Sequence, residues 1–331
     1  LGPSTPDSRH FSLSSLPQTS SYQMISRRNI RVKVMQTLYM LEAQDQEIKP
    51  ADAVKTLQKQ FDQTRQLFIY LIYFVTELAR YAEKDSMIRS SKHLPNEEDR
   101  NVNIKLAGNE LLWKILEHES YLQAAKEDKP QLLNNTDLVR KMYYELRETE
   151  AYKTYIAEEG RNWKSEKDII QFIFGDFLLT NEAFDSYMEE TFTNWDDDAD
   201  MISKLLPAFF SKPQTFHFEE MISREKWEFA KNLLQTVMEK KEVTMGLIKP
   251  KLKNWDPERI AMLDMILMEM GVCEFLYFET IPPKVTINEY IDLAKEYSTQ
   301  QSGQFVNGIL DNIHKDLVKE NKMHKVDFKT P

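Results

Sequence analysis

The chain has 331 residues, 41% hydrophobic and 29% charged, with a formal net charge of -10, which is ordinary for a folded soluble protein of two domains or one large one. Eight glycines and no glycine-rich loop exclude Rossmann and P-loop nucleotide binding. The single Cys273 excludes an internal disulfide, which suits a reducing compartment, and cytoplasmic localisation is expected.

Residues 1–23, "LGPSTPDSRHFSLSSLPQTSSYQ", are rich in Ser, Pro and Thr, lack the apolar stretch of a secretory signal and read as a disordered leader. A first helix follows from Ser26 to about Gln44, with Ile30, Val34, Leu38 and Leu41 on one face and Arg27, Arg28 and Arg31 grouped elsewhere. The first face goes inward and the second is left free to bind. No Asp or Glu occurs between Asp7 and Glu42, so Arg27, Arg28, Arg31 and Lys33 have no acid nearby in sequence, and something negative outside the segment is expected as their partner. A second helix system spans roughly 51–84. Its apolar run "LFIYLIYFVTELA" (67–79) falls short of the roughly 18–20 residues that span a bilayer, and it reads as a buried helix.

Residues 90–101 read as a loop, and helical patterns follow between about 102 and 208. Within them, residues 134–200 hold seventeen Asp and Glu against seven Lys and Arg, a net of -10 that equals the charge of the whole chain. The remainder is therefore near neutral, and its positive charge can concentrate locally. Tryptophans at 163, 195, 227 and 255 suggest a repeat, but their flanks share little beyond a helix start. In "NWDPERI", Asp256 is a good N-cap, Pro257 suits the first helical position, and Trp255 can pack on Ile260.

Nothing in this pattern argues for catalysis. The six histidines are scattered without zinc-ligand spacing. Glu117 and Glu119 around His118 point apart on a helix, "NWDDDAD" reads as an acidic helix start, and Cys273 lies in an apolar run as a core residue. The basic start of the first helix is different. Arginine's planar, multi-donor head suits phosphate and stacked bases, so single-stranded RNA is a sensible target, against the alternative of a solubilising face.

The C-terminal third carries a resemblance. "IPPKVTINEYIDLAKEYS" and "QFVNGILDNI", in order and at the right spacing, resemble the NusB family of transcription antitermination factors. "RRNIRVKVMQTLYMLE" resembles the family's first helix and "EFAKNLLQTV" (228–237) its third, so the resemblance covers roughly 24–60 and 221–318. It implies an all-α fold of two small helical bundles, no enzymatic activity, no cofactor, and binding of boxA RNA together with NusE, a small-subunit ribosomal protein, within an RNA polymerase antitermination complex. A homodimer is possible and no membrane association is expected. Arg27, Arg28, Arg31 and Lys33 match the family's arginine-rich RNA-binding motif. Tyr39 and Phe305 match aromatics near the RNA, or are core residues. Lys284, Gln301 and Gln304 fall where the family completes its RNA surface, although Gln304 replaces a usual basic residue. Asp264 matches an acidic position on the NusE-binding surface, and Glu269 stands where arginine is common.

The implied division is a leader (1–23), the first part of the N-terminal bundle (24–84), an acidic helical insertion (85–215), the rest of the fold (216–320) and a flexible tail (321–331). The insertion is expected to pack on the N-terminal bundle, away from the arginine face, with Phe172, Phe174, Phe177 and Leu178 in its core. Two rivals remain. One is an interaction module that has kept the fold and lost RNA binding. The other is an RNA-binding component of an rRNA cytosine methyltransferase, for which the sequence has neither a SAM-binding glycine loop nor a catalytic cysteine pair.

Overall fold

Helix α1 (Arg27–Ala43) starts where the sequence offers a cap: the Ser26 hydroxyl oxygen accepts from the Asn29 backbone N–H at 3.1 Å. The computed structural model describes residues 25–44, 48–218, 221–252 and 260–326, and these contain helices and turns but no strand. The leader and the capped turn at Trp255, Asp256 and Pro257 lie outside the described residues.

Helix α2 (Pro50–Ser90) opens with proline at its first position, where the missing N–H costs nothing. At 1.5 Å per residue its 41 residues run about 60 Å, and it forms the spine of the molecule. Its first turns meet α1 through Gln60, which accepts from Thr37 at 2.9 Å. Its last turns hold Asp85, which accepts from Tyr144 and Arg147. Enclosure from several sides explains the apolar run at 67–79, where Leu67 through Ile72 are wholly buried. No described helix is long and apolar enough to cross a membrane.

The middle of the chain folds as α3 (Glu97–Arg100), α4 (Glu110–Leu116), α5 (Glu119–Asp128), α6 (Thr136–Glu148), α7 (Glu150–Ala157), α8 (Trp163–Phe172), α9 (Glu182–Thr191) and α10 (Trp195–Ser211). α8 runs on into a π-helical turn over Ile173–Leu178. Phe174 and Leu178 are buried, Phe172 and Phe177 partly so, and Phe209 packs edge-on against Phe68 of α2, with ring centroids 5.8 Å apart. α2 continues without a break past residue 84, so its last turns are shared with the middle region.

The remainder folds as α11 (Arg224–Glu239), α12 (Lys241–Ile248), α13 (Met262–Tyr277), α14 (Pro283–Tyr297) and α15 (Ser302–Lys319). α13 is buried along most of its length because α1, α11, α12, α14 and α15 all pack on it, and Cys273 is one of its core residues. Two local features differ from the sequence pattern. Asn307 and Gly308 suggest a close helix approach, but both are exposed and a Cβ on Gly308 would meet nothing. The tight approach is at Gly271, where a Cβ would lie 2.9 Å from Leu310 Cδ2. Residues 321–326 are tied down rather than free: Lys325 Nζ donates to the carbonyls of Glu274 and Phe278 at 2.7 and 2.8 Å, satisfying the end of α13.

Candidate nucleic-acid interface

Helix α1 is packed by α2, α11 and α13, and that enclosure divides its four cations into two kinds. Arg31 faces inward. Its Nε lies 2.7 Å from Glu274 Oε1 and its Nη2 3.2 Å from Oε2, a bidentate fork with side-chain exposures of 3% and 0%. Its Nη1 is 3.3 Å from Glu289, and the guanidinium lies over the rings of Phe229 and Tyr290. Thr286 and Tyr290 hydroxyls donate to the same Glu274 carboxylate at 2.9 Å each. Burial works against the Arg31 charge, but Glu274 outweighs it and holds the pKa above its ordinary value.

Lys33 is equally enclosed, with its Nζ 2.5 Å from Asp198 of α10. The other Asp198 oxygen accepts from Thr64 at 2.7 Å and Asn194 at 2.6 Å. This buried carboxylate therefore joins α1, α2 and α10.

Arg27 and Arg28 sit at the rim instead, with side-chain exposures of 43% and 38%. Arg27 pairs with Glu225 at 2.9 Å and lies over the Phe229 ring. Arg28 pairs with Glu296 at 2.8 Å and with Asp292 at 3.8 Å.

The cations' partners do lie outside the segment, and they are carboxylates of this same chain. One expectation is corrected: Arg31 and Lys33 are buried in ion pairs rather than displayed on a free face. The acids come from distant sequence, where local reading could not find them. One signal was available: Glu289, Asp292 and Glu296 follow i, i+3, i+7 spacing and form a single acidic stripe on α14.

A second correction concerns the middle region. Helix α10 does not avoid the arginine face but lies beside it, leaving a groove of about 320 Å³. Arg28, Asn29 and Lys33 line one side, Asp197 and Asp200 the other, and Glu296 and Tyr297 the end. "NWDDDAD" is an acidic helix start, as its sequence suggests, and it also supplies the buried partner of Lys33.

Among the remaining positions, Lys284, Gln301 and Gln304 are exposed, Tyr39 is 47% exposed and Phe305 is half-buried against the core. Asp264 and Glu269 are each only 6% exposed, so neither is the surface charge that the sequence suggests. Asp264 accepts from Ser302 of α15 at 2.8 Å. Burial pushes the Glu269 carboxyl up to about 7; Lys241 pulls it down and Glu42 up. No group of three His, Cys, Asp or Glu among the described residues could hold a metal ion.

Residues 203–315 match the NusB family; α1 lies outside that stretch. The transcription antitermination protein NusB of Methylacidiphilum infernorum is 41% identical over 30% of this chain and 68% of its own length. Its namesake in Salinibacter ruber is 40% identical, with 61% of its length covered, and that in Ruminiclostridium cellulolyticum is 36% identical, with 76% covered. A solved structure of T. maritima NusB is 33% identical over 32% of this chain and 77% of that one, with a TM-score of 0.29. With this identity across more than two thirds of a relative's length, the chain belongs to the NusB family.

Proposed function

We propose that this protein is a cytoplasmic transcription antitermination factor that binds boxA-type single-stranded RNA together with NusE and acts within an RNA polymerase antitermination complex. The observation that carries this reading is the rim pair on α1. Arg27 and Arg28 are part-exposed and held by surface carboxylates, contacts worth roughly 0–1 kcal/mol that a phosphate can replace at little cost. The buried Arg31 and Lys33 cannot exchange so cheaply, because breaking a buried pair costs about 3–5 kcal/mol. We therefore assign phosphate contact to Arg27 and Arg28, and assign Arg31 and Lys33 to fixing the helix that presents them. Exposed Lys284, Gln301, Gln304 and Tyr39, with Phe305 beside them in sequence, extend the proposed surface. Residues 85–215 are proposed as an insertion in the family fold.

A second reading, an interaction module without RNA binding, is favoured by one feature: six carboxylates pair with the four cations of α1. Fluorescence anisotropy with a labelled boxA-type strand and a scrambled control, each with and without NusE, separates the two. The RNA reading expects tighter binding of the boxA-type strand, further strengthened by NusE. Equal, negligible binding in all four mixtures would select the interaction module.

A further inference from the structure

We propose that helix α10 is an anionic cover on the strand-binding face of α1, its Asp197 and Asp200 carboxylates competing with RNA phosphates for the space beside Arg28. This inference rests on the RNA reading above and adds a restraint built into the same chain.

The cover is anchored from below. Asp198 is 1% exposed and holds Lys33 of α1, Thr64 of α2 and Asn194 at the start of its own helix. These contacts engage both carboxylate oxygens, and they fix the first turn of α10 against α1. Helical spacing does the rest. Asp197 and Asp200, at i and i+3, share a side of α10; both are exposed, and both line the groove whose opposite wall carries Arg28 and Asn29.

Charge decides what that placement does. Arg28 already faces Glu296 and Asp292 across the groove's end, so Asp197 and Asp200 add negative charge where a strand would bring more. Asp200 pairs with Lys204 at 2.5 Å, and Lys204 lines the same groove, so that pair is close to neutral at a distance and Asp197 carries the larger share of the repulsion. Both walls line one groove of about 320 Å³, so a strand seated in it meets Asp197 directly, without the separation of about one Debye length, roughly 8 Å at physiological salt, that would screen the charge. The positive end of the α10 dipole, about half a charge, does not offset the three aspartates of its first turn and Asp200.

The test uses the full chain and a labelled boxA-type single strand, read by anisotropy near 150 mM salt. Asp197→Asn/Asp200→Asn removes two exposed charges at constant shape and leaves Asp198 untouched. Glu148→Gln/Glu150→Gln makes the same change in net charge on side chains 79% and 91% exposed at the α6–α7 junction. The aspartate pair is expected to tighten binding about three- to fivefold, with the gain vanishing toward 1 M salt, where the Debye length falls to about 3 Å. The glutamate pair should stay within about twofold, and the melting temperatures of both variants should match that of the wild type. An unchanged affinity in the aspartate variant, with wild-type binding still dependent on Arg27 and Arg28, overturns the cover alone. Equal tightening by the glutamate variant also overturns it, as a mere effect of net charge. If neither wild type nor the aspartate variant binds the strand, the RNA reading falls and the cover with it.

Discussion

Arg31→Met puts the division of the α1 cations to a quantitative test. Methionine keeps much of the arginine stem's volume and removes the charge, leaving the Glu274 carboxylate at 0% exposure without its bidentate partner. Removing one member of a buried pair costs about 3–5 kcal/mol. The Thr286 and Tyr290 hydroxyls still donate to Glu274, and hydrogen bonds to a charged group retain about 1.5–3 kcal/mol each. The expected loss is therefore near the lower end, about 3 kcal/mol, read from urea unfolding at pH 7. Adding Glu274→Gln should restore most of it, with a coupling energy of about 2 kcal/mol. A loss under about 1 kcal/mol, or no recovery on adding Glu274→Gln, would refute the assignment of Arg31 to a buried structural pair.

Three other substitutions have defined signs. The Glu269 carboxyl is raised from 4.5 to about 7, so the folded protein keeps a proton that the unfolded chain loses, and stability falls as pH rises across that window, by about 3 kcal/mol in all. Glu269→Gln should therefore be stabilising above pH 7 and nearly neutral at pH 5, and parallel stability curves for variant and wild type would contradict this. Gly246→Ala, in open space on α12, should raise stability by about 0.5–1 kcal/mol because the unfolded chain loses freedom. Gly271→Ala should lower it by about 1–2 kcal/mol, since the new methyl meets the fully buried Leu310; thermal unfolding that gives both alanines the same sign would sink the packing argument.

Helix existence was readable in the sequence because it depends on local chemistry. Ser26 caps α1, Trp163 and Trp195 open helices and Trp227 lies in a first turn, and the apolar run at 67–79 is the buried middle of α2. The electrostatic partners were not readable, because Glu274, Glu225 and Asp198 reach α1 only through tertiary packing. The first-helix periodicity marks one inward face through Ile30, Val34 and Leu38, yet α1 has neighbours on several sides, and Arg31 and Lys33 end up inside. The placement of α10 beside α1 is marked by a buried pair, Lys33 with Asp198, that no composition count distinguishes from the exposed acids around it. Asp264 and Glu269 show the same limit, because their burial depends on the packing of α13 rather than on their own chemistry.

The most direct test of the division between exchangeable and structural cations is the salt dependence of RNA affinity in two double variants, Arg27→Ala/Arg28→Ala and Arg31→Met/Glu274→Gln. Each phosphate contact to a single strand contributes about 0.7 to the slope of log affinity against log salt. The rim variant should lose about 1.4 from that slope, and the buried-pair variant, folded and charge-balanced, should keep the wild-type value. An undiminished slope in the rim variant, or an equal loss in the buried-pair variant, would contradict the account.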